Sequence, residues 1–383
     1  MSGIERHLRP VPAPAVEPWP KSDGDVSGFL ATEPPPRKWF VHNRLLAGRA
    51  AVLTGIGGAS KTTALYHLAL GAVLGRLPWS WQIDTTGTAL LFLTEDTPDD
   101  SHHAVAALCE ELGDDERALV AAKLRVFPLA GEDVRLLSND GGTLYENPRA
   151  LGLIERCCAI GDVAFIGIDP ALALSEGDEL SQAHQRYLGQ FVDKLAIQTG
   201  AAVMLVTHAT KASANADEIT SHASRGGGGI TDAVRAEFLL RTMTSKEASA
   251  HGISGTDRKR YVQLVATKAN KAPLDAFAPL WLERGRNGLL YPAELALVER
   301  QESSLTMTDR RVYDTLREMC KTSVPMRQEW RLECQRLGLI TGANEDAKTK
   351  TMQRIIGRLL DAGLIQRGSA RGSYIPTYQD ETA

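Results

Sequence analysis

Five short apolar runs recur through the middle of the chain, at Ala50–Thr54, Thr88–Thr94, Leu124–Pro128, Val163–Ile168 and Ala202–Thr207. Their length, and their continuity in apolar residues, suit strands covered on both faces. Between them, apolar residues at helical spacing predict helices over Thr62–Gly75, Ser101–Leu112, Pro148–Ile160 and Leu180–Thr199. Alternation of this kind argues for a mainly parallel α/β sheet. Three further runs, Glu237–Met243, Tyr261–Thr267 and Pro279–Arg284, follow without long helices between them and predict an antiparallel extension. Residues 37–292 thus read as one α/β domain.

A different pattern follows a polar link at 293–305. Helical spacing covers Asp309–Cys320, Met326–Leu337 and Ala347–Ala362, and two short runs, Leu364–Arg367 and Ser373–Pro376, flank Gly368 and Gly372. Three helices and a ribbon predict a winged helix-turn-helix over 306–378, ending in a short tail at 379–383. Residues 1–36 hold Pro10, Pro12, Pro14, Pro18, Pro20 and Pro34–Pro36 with little apolar periodicity, and read as a disordered or extended arm.

The 383 residues carry a net charge of −4, so no global field draws the chain to nucleic acid or to an anionic surface. Locally the balance differs. Residues 306–377 hold 13 Lys and Arg against 8 Asp and Glu. Lys348, Lys350, Arg354 and Arg358 lie on the third helix opposite Ile355, Ile356, Leu359 and Leu360, and Arg367 and Arg371 flank the ribbon. This is a candidate for DNA phosphate contact. Cys109, Cys157, Cys158, Cys320 and Cys334 form no CxxC pair. With no secretory leader pattern and no apolar run of about 18 residues, they suggest reduced thiols, a cytoplasmic setting and no membrane span.

The candidate chemistry begins where the first strand meets its helix. Gly55-Ile56-Gly57-Gly58-Ala59-Ser60-Lys61-Thr62-Thr63 is a glycine-rich loop running into a helix N-terminus, the context in which backbone N–H groups and the helix dipole hold phosphate. Gly55, Gly57, Gly58, Ala59, Ser60, Lys61, Thr62 and Thr63 form this candidate cradle, with Lys61 against terminal phosphate oxygens and Thr62 as a Mg²⁺ ligand. Ser60 stands where such loops usually end in glycine, so a β-carbon strains the loop if the position needs positive φ.

Strand ends supply the rest, because ligands of open α/β sheets bind beyond the carboxyl ends of strands. Glu95, after the second strand, is a candidate to polarise an attacking water; an acidic pair before Thr97-Pro98 also suits a helix cap. Asp169 ends an apolar strand as a Walker B carboxylate holding Mg²⁺. His208 ends the next and is a candidate sensor of the γ-phosphate. Arg225 lies in a polar, glycine-rich stretch from Lys211 to Gly229, where a finger reaching a neighbour's site or plain flexibility would both fit.

Together, Lys61-Thr62, Thr94-Glu95-Asp96, Ile168-Asp169, Thr207-His208-Ala209-Thr210-Lys211, Ala223-Ser224-Arg225-Gly226 and Ala266-Thr267-Lys268-Ala269-Asn270 resemble the RepA-type hexameric helicases of plasmids, within the RecA-like P-loop ATPases. The resemblance covers roughly residues 40–290. It implies ATP and Mg²⁺ at the interfaces of a six-membered ring, with Glu95 catalytic, Asp169 as the Walker B acid, His208 the sensor and Arg225 a finger from the adjacent subunit. Lys268 would add to that interface. It also implies single-stranded DNA at the core and a part in replication of a plasmid, phage or mobile element. Duplex DNA is the expected partner of the winged helix, with protein docking or a simply solvated basic face as the other readings of that module. The alternatives are an ATP-gated DNA-binding regulator or loader, and a recombination mediator.

Overall fold

The computed structural model describes residues 24–209, 228–296, 305–368, 370 and 372–377. They fall in two compact units, one ending at Leu295 and the other beginning at Ala296, with Ala250–Gly252 grouped with the second. Among the described residues no helix is long and apolar enough to cross a membrane.

In chain order the first unit contains α1 (Ser27–Ala31), β1 (Trp39–Val41), β2 (Leu45–Leu46), β3 (Ala50–Gly55), α2 (Lys61–Leu74), β4 (Thr88–Leu93), α3 (Pro98–Leu108), α4 (Asp114–Lys123) and β5 (Leu124–Pro128). The hairpin β6 (Leu137–Asp140) and β7 (Thr143–Glu146) comes next, then α5 (Pro148–Ile160), β8 (Val163–Asp169), α6 (Gln182–Thr199) and β9 (Ala202–His208). Further along come α7 (Gly229–Ala233), β10 (Ala236–Thr242), α8 (Ser245–Ala250), β11 (Tyr261–Ala269), β12 (Leu280–Arg284) and β13 (Leu290–Pro292).

Nine strands form one sheet in the order β13-β12-β11-β10-β3-β9-β8-β4-β5. The six from β10 to β5 run parallel, and β11, β12 and β13 extend the β10 edge in antiparallel fashion. The result is an α/β core with a mostly parallel sheet. Alternate residues serve opposite faces, as a pleated strand requires. Ala51 and Leu53 of β3 join Leu91, Phe165, Met204 and Phe238 in one core with α2, while Ala50 and Val52 join Ile166, Val203 and Leu205 in another with α5 and α6. With apolar layers on both sides, the strands read as continuous apolar runs.

Several elements depart from the sequence reading. Helix α3 begins at Pro98, earlier than expected, because Thr97 and Asp100 form a reciprocal capping box. Helix α4 and the hairpin β6–β7 carry mixed polar patterns that gave no clear period, and the hairpin β1–β2 consists of two apolar runs of only three and two residues. Within the arm, Ser27–Ala31 is helical with no buried residue. Residues 1–23 of that arm, most of the link and the tail lie outside the described residues.

The second unit contains α9 (Met307–Cys320), α10 (Arg327–Arg336), α11 (Glu345–Asp361), β14 (Ile365–Arg367) and β15 (Tyr374–Pro376), the strands pairing antiparallel. Val312, Leu316, Trp330, Cys334, Met352, Ile355, Ile356 and Leu359 form its core. Trp330 is fully buried there, and its indole N–H donates to the Val312 carbonyl at 3.0 Å.

Arg358, expected among the phosphate contacts, is instead tied to Asp309 by Nε at 3.0 Å and Nη2 at 2.6 Å. The Asp309 side chain is fully buried at the cap of α9, so this arginine is held to balance a buried carboxylate. Lys348 pairs with Glu345 at 2.8 Å. Lys350 and Arg354 are exposed, one turn apart on α11. Arg371 lies outside the described residues.

Candidate functional site

The loop between β3 and α2 has the shape its sequence implies. Gly55 ends β3 against β10, where a β-carbon would lie 2.4 Å from the Leu240 carbonyl oxygen, so only glycine fits. Gly57 and Gly58 are exposed and Ala59 is buried. Ser60 precedes α2 with φ 68° and ψ 32°. The position therefore does require positive φ, and a non-glycine residue there costs about 1–2 kcal/mol. Thr62 and Thr63 open the helix partly buried.

Lys61 is buried, and its ammonium donates to the Gly55 and Ile56 carbonyls at 2.9 and 3.0 Å. Burial lowers its pKa, while Asp169 and Glu95 oppose the shift. The lysine is thus curled within its own loop, facing two carboxylates.

Tertiary pairing brings Asp169 to this helix. Strands β8 and β3 are not neighbours; β9 lies between them. Across that gap the Thr62 hydroxyl donates to Asp169 Oδ2 at 2.5 Å. Burial pushes the Asp169 carboxyl up, opposed by the Thr62 bond and by Lys61. On the far side, Thr94 N–H donates to the Asp169 carbonyl at 2.8 Å, and Leu93 lies in register with Asp169. This pairing sets Glu95 and Asp96 beside Asp169 at the carboxyl end of the sheet. Neither serves as the cap of α3, which Thr97 and Asp100 supply. Glu95 is exposed. Asp96 is raised in pKa by burial and by its negative neighbours Asp169, Asp100 and Glu95.

His208 closes β9 opposite Gly55, and it is near enough to Asp169 to favour that carboxylate's charged form. One step earlier, the Thr207 and Thr54 hydroxyls hydrogen-bond at 3.0 Å inside the sheet, joining the strand of the loop to the strand of the histidine. Glu95, Asp169, His208 and the Lys61–Thr62 helix start therefore meet at the carboxyl end of the sheet. Arg225 and the 210–227 stretch lie outside the described residues. Lys268, expected near a subunit contact, is half-buried and donates to the Thr231 carbonyl of its own chain at 2.5 Å.

One residue at the loop gave no sequence signal. Arg284, the last residue of β12, donates Nε to the Ser60 hydroxyl at 2.8 Å and Nη2 to the Gly58 carbonyl at 2.6 Å. It read only as the end of a strand, and its partner is 224 residues away.

The donor set fits Mg²⁺. A hydroxyl and a carboxylate are hard oxygen donors, and the buried carboxylate favours a nearby cation. Among the described residues, no three His, Cys, Asp or Glu side chains form a metal cluster.

Residues 17–214 match the family model described as the AAA domain, just over half of the chain. The match takes in the glycine-rich loop, Glu95, Asp169 and His208. The chain belongs to the AAA-domain family of P-loop NTPases.

Proposed function

We propose that this protein is an ATP-dependent DNA helicase or translocase of the RepA-like class, with a RecA-like core, a C-terminal winged helix and ATP sites between the subunits of a six-membered ring. The observation that carries the reading is the convergence of Thr62, Asp169 and Glu95 at the carboxyl end of the sheet, with His208 on the intervening strand. In this reading the N–H groups at the start of α2 receive the phosphates, and Lys61 leaves its loop carbonyls for terminal phosphate oxygens. Thr62 and Asp169 would hold Mg²⁺, which when bound supplies positive charge to the phosphate oxygens. Glu95, exposed beside Asp169, orients and polarises the attacking water. His208 senses the terminal phosphate and passes its state along β9. Arg225 is assigned as the finger donated to a neighbour's site.

A role on DNA is supported by the family resemblance and by the second unit. Its three helices and antiparallel ribbon follow a winged-helix order, with Lys350, Gln353 and Arg354 exposed along α11. The same unit favours a second reading, in which nucleotide gates a regulator or loader that binds a specific duplex site.

Turnover on single-stranded DNA, unwinding of a forked duplex and particle imaging with an ATP analogue test the proposal together. Lys61→Ala should abolish turnover, and Arg225→Ala should abolish it while ATP still binds. Normal turnover in the Arg225 variant would defeat the shared-site reading. Slow turnover with a sequence-specific duplex footprint would favour the regulator.

A further inference from the structure

Two features of the phosphate loop are unexplained by the roles above. One is the non-glycine residue at positive φ, Ser60. The other is a half-buried arginine from the antiparallel extension whose donors end on neutral oxygens. These are the Ser60 hydroxyl at 2.8 Å, the Gly58 carbonyl at 2.6 Å and the Lys259 carbonyl at 2.5 Å. Ser60 is the residue immediately before Lys61 and caps α2 by position, yet its hydroxyl caps no helix N–H. That hydroxyl is used by Arg284 instead.

We propose that Arg284 is a positioning residue for the phosphate loop, and that Ser60 replaces glycine because its hydroxyl gives Arg284 a hold on the start of α2. The inference rests on the nucleotide reading of the loop and deepens it. A glycine at this position adopts positive φ freely, in many conformations. Serine held by a charge-assisted hydrogen bond is restricted to one. With Nη2 on Gly58 the same guanidinium fixes the tip of the loop, so both ends of the Gly58–Ser60 segment are tied to β12. The fork geometry is what allows one side chain to do this, and lysine cannot reproduce it. The loop then meets phosphate already shaped, and less ordering accompanies binding.

A double-mutant cycle on the full chain tests this, with binding of a fluorescent N-methylanthraniloyl ATP and the melting temperature of the protein alone as readouts. Ser60→Ala and Arg284→Ala should each weaken binding about tenfold, and the double variant little further, because both remove one interaction. Ser60→Gly placed in the Arg284→Ala background should recover affinity, since the strained β-carbon no longer has its compensation. Arg284→Lys should bind between wild type and Arg284→Ala. In turnover, KM should rise more than kcat falls.

Full multiplication of the two single effects, unchanged binding in Arg284→Ala, or no recovery by Ser60→Gly would overturn the proposal. If Arg284→Ala does not fold, Ser60→Ala against Arg284→Lys closes the same cycle. Wild-type protein that binds no nucleotide would instead end the functional reading. The clamp would then stand or fall on non-additive melting.

Discussion

The Thr62 hydroxyl reaches the Asp169 carboxylate over 2.5 Å, although their strands are separated in the sheet by β9. The helix that follows the phosphate loop is thereby locked to the end of a strand from a distant part of the chain. Asp169→Asn keeps the shape and removes the charge. It should raise the Mg²⁺ concentration needed for half-maximal turnover by about 10–100-fold. Mg²⁺ titration of the steady-state rate checks this, and an unchanged titration would remove Asp169 from the metal site.

Glu95 stands exposed beside Asp169, outside the capping box of α3. Glu95→Gln should therefore leave helix α3 and the melting temperature intact. Its turnover should fall by about 10²–10⁴-fold, the range of a lost general base, while nucleotide still binds. Asp96→Asn, measured in parallel, tells whether the neighbouring carboxylate carries the role instead.

His67 of α2 accepts the Leu290 N–H through Nε2 at 3.0 Å, and burial lowers its pKa to about 4. The folded pKa lies below the unfolded value of about 6.5. Its contribution is therefore complete above about pH 6.5 and is lost as pH falls toward 4. The shift corresponds to roughly 3 kcal/mol across that window. His67→Phe should flatten this limb of the pH–stability curve. It should also destabilise the first unit by about 1–3 kcal/mol at neutral pH, by leaving a buried N–H without its acceptor. Thermal melts from pH 4 to 8 measure both effects.

In the second unit, burial would raise the Asp309 carboxyl, but bonds from Arg358 and from the Thr306 N–H hold it below the usual carboxylate range. A depressed folded pKa means stability that is present above about pH 4 and lost as pH falls through the folded value. Because Arg358 is 41% exposed, Arg358→Ala should destabilise by only about 1–3 kcal/mol. Chemical denaturation at pH 7 and pH 3 checks the pair: the variant's deficit should be smaller at the lower pH.

The core strands β3, β4, β8 and β9 were legible because continuous apolar runs record burial on both faces, whatever the partner, while β5 at the sheet edge showed as a short run with one face turned to solvent. The hairpin β6–β7 was missed because Ser138, Asn139 and Asp140 carry no apolar period, although its Gly141-Gly142 turn, with both residues at positive φ, is a local signal. The Lys348, Lys350, Arg354 and Arg358 series shows a similar limit. Spacing marked four basic residues alike, whereas packing gives Arg358 to Asp309.

The sequence by itself determined the phosphate loop, the helix it opens and the apolar runs that end in Glu95, Asp169 and His208, because each is written in residues close along the chain. Tertiary structure alone decided that β9 separates β3 from β8, that Thr62 meets Asp169 and that Arg284 holds Ser60. Local pattern records how much of a side chain is covered and with what period. Which distant group covers it depends on strand order and register, set by packing of the whole sheet at once.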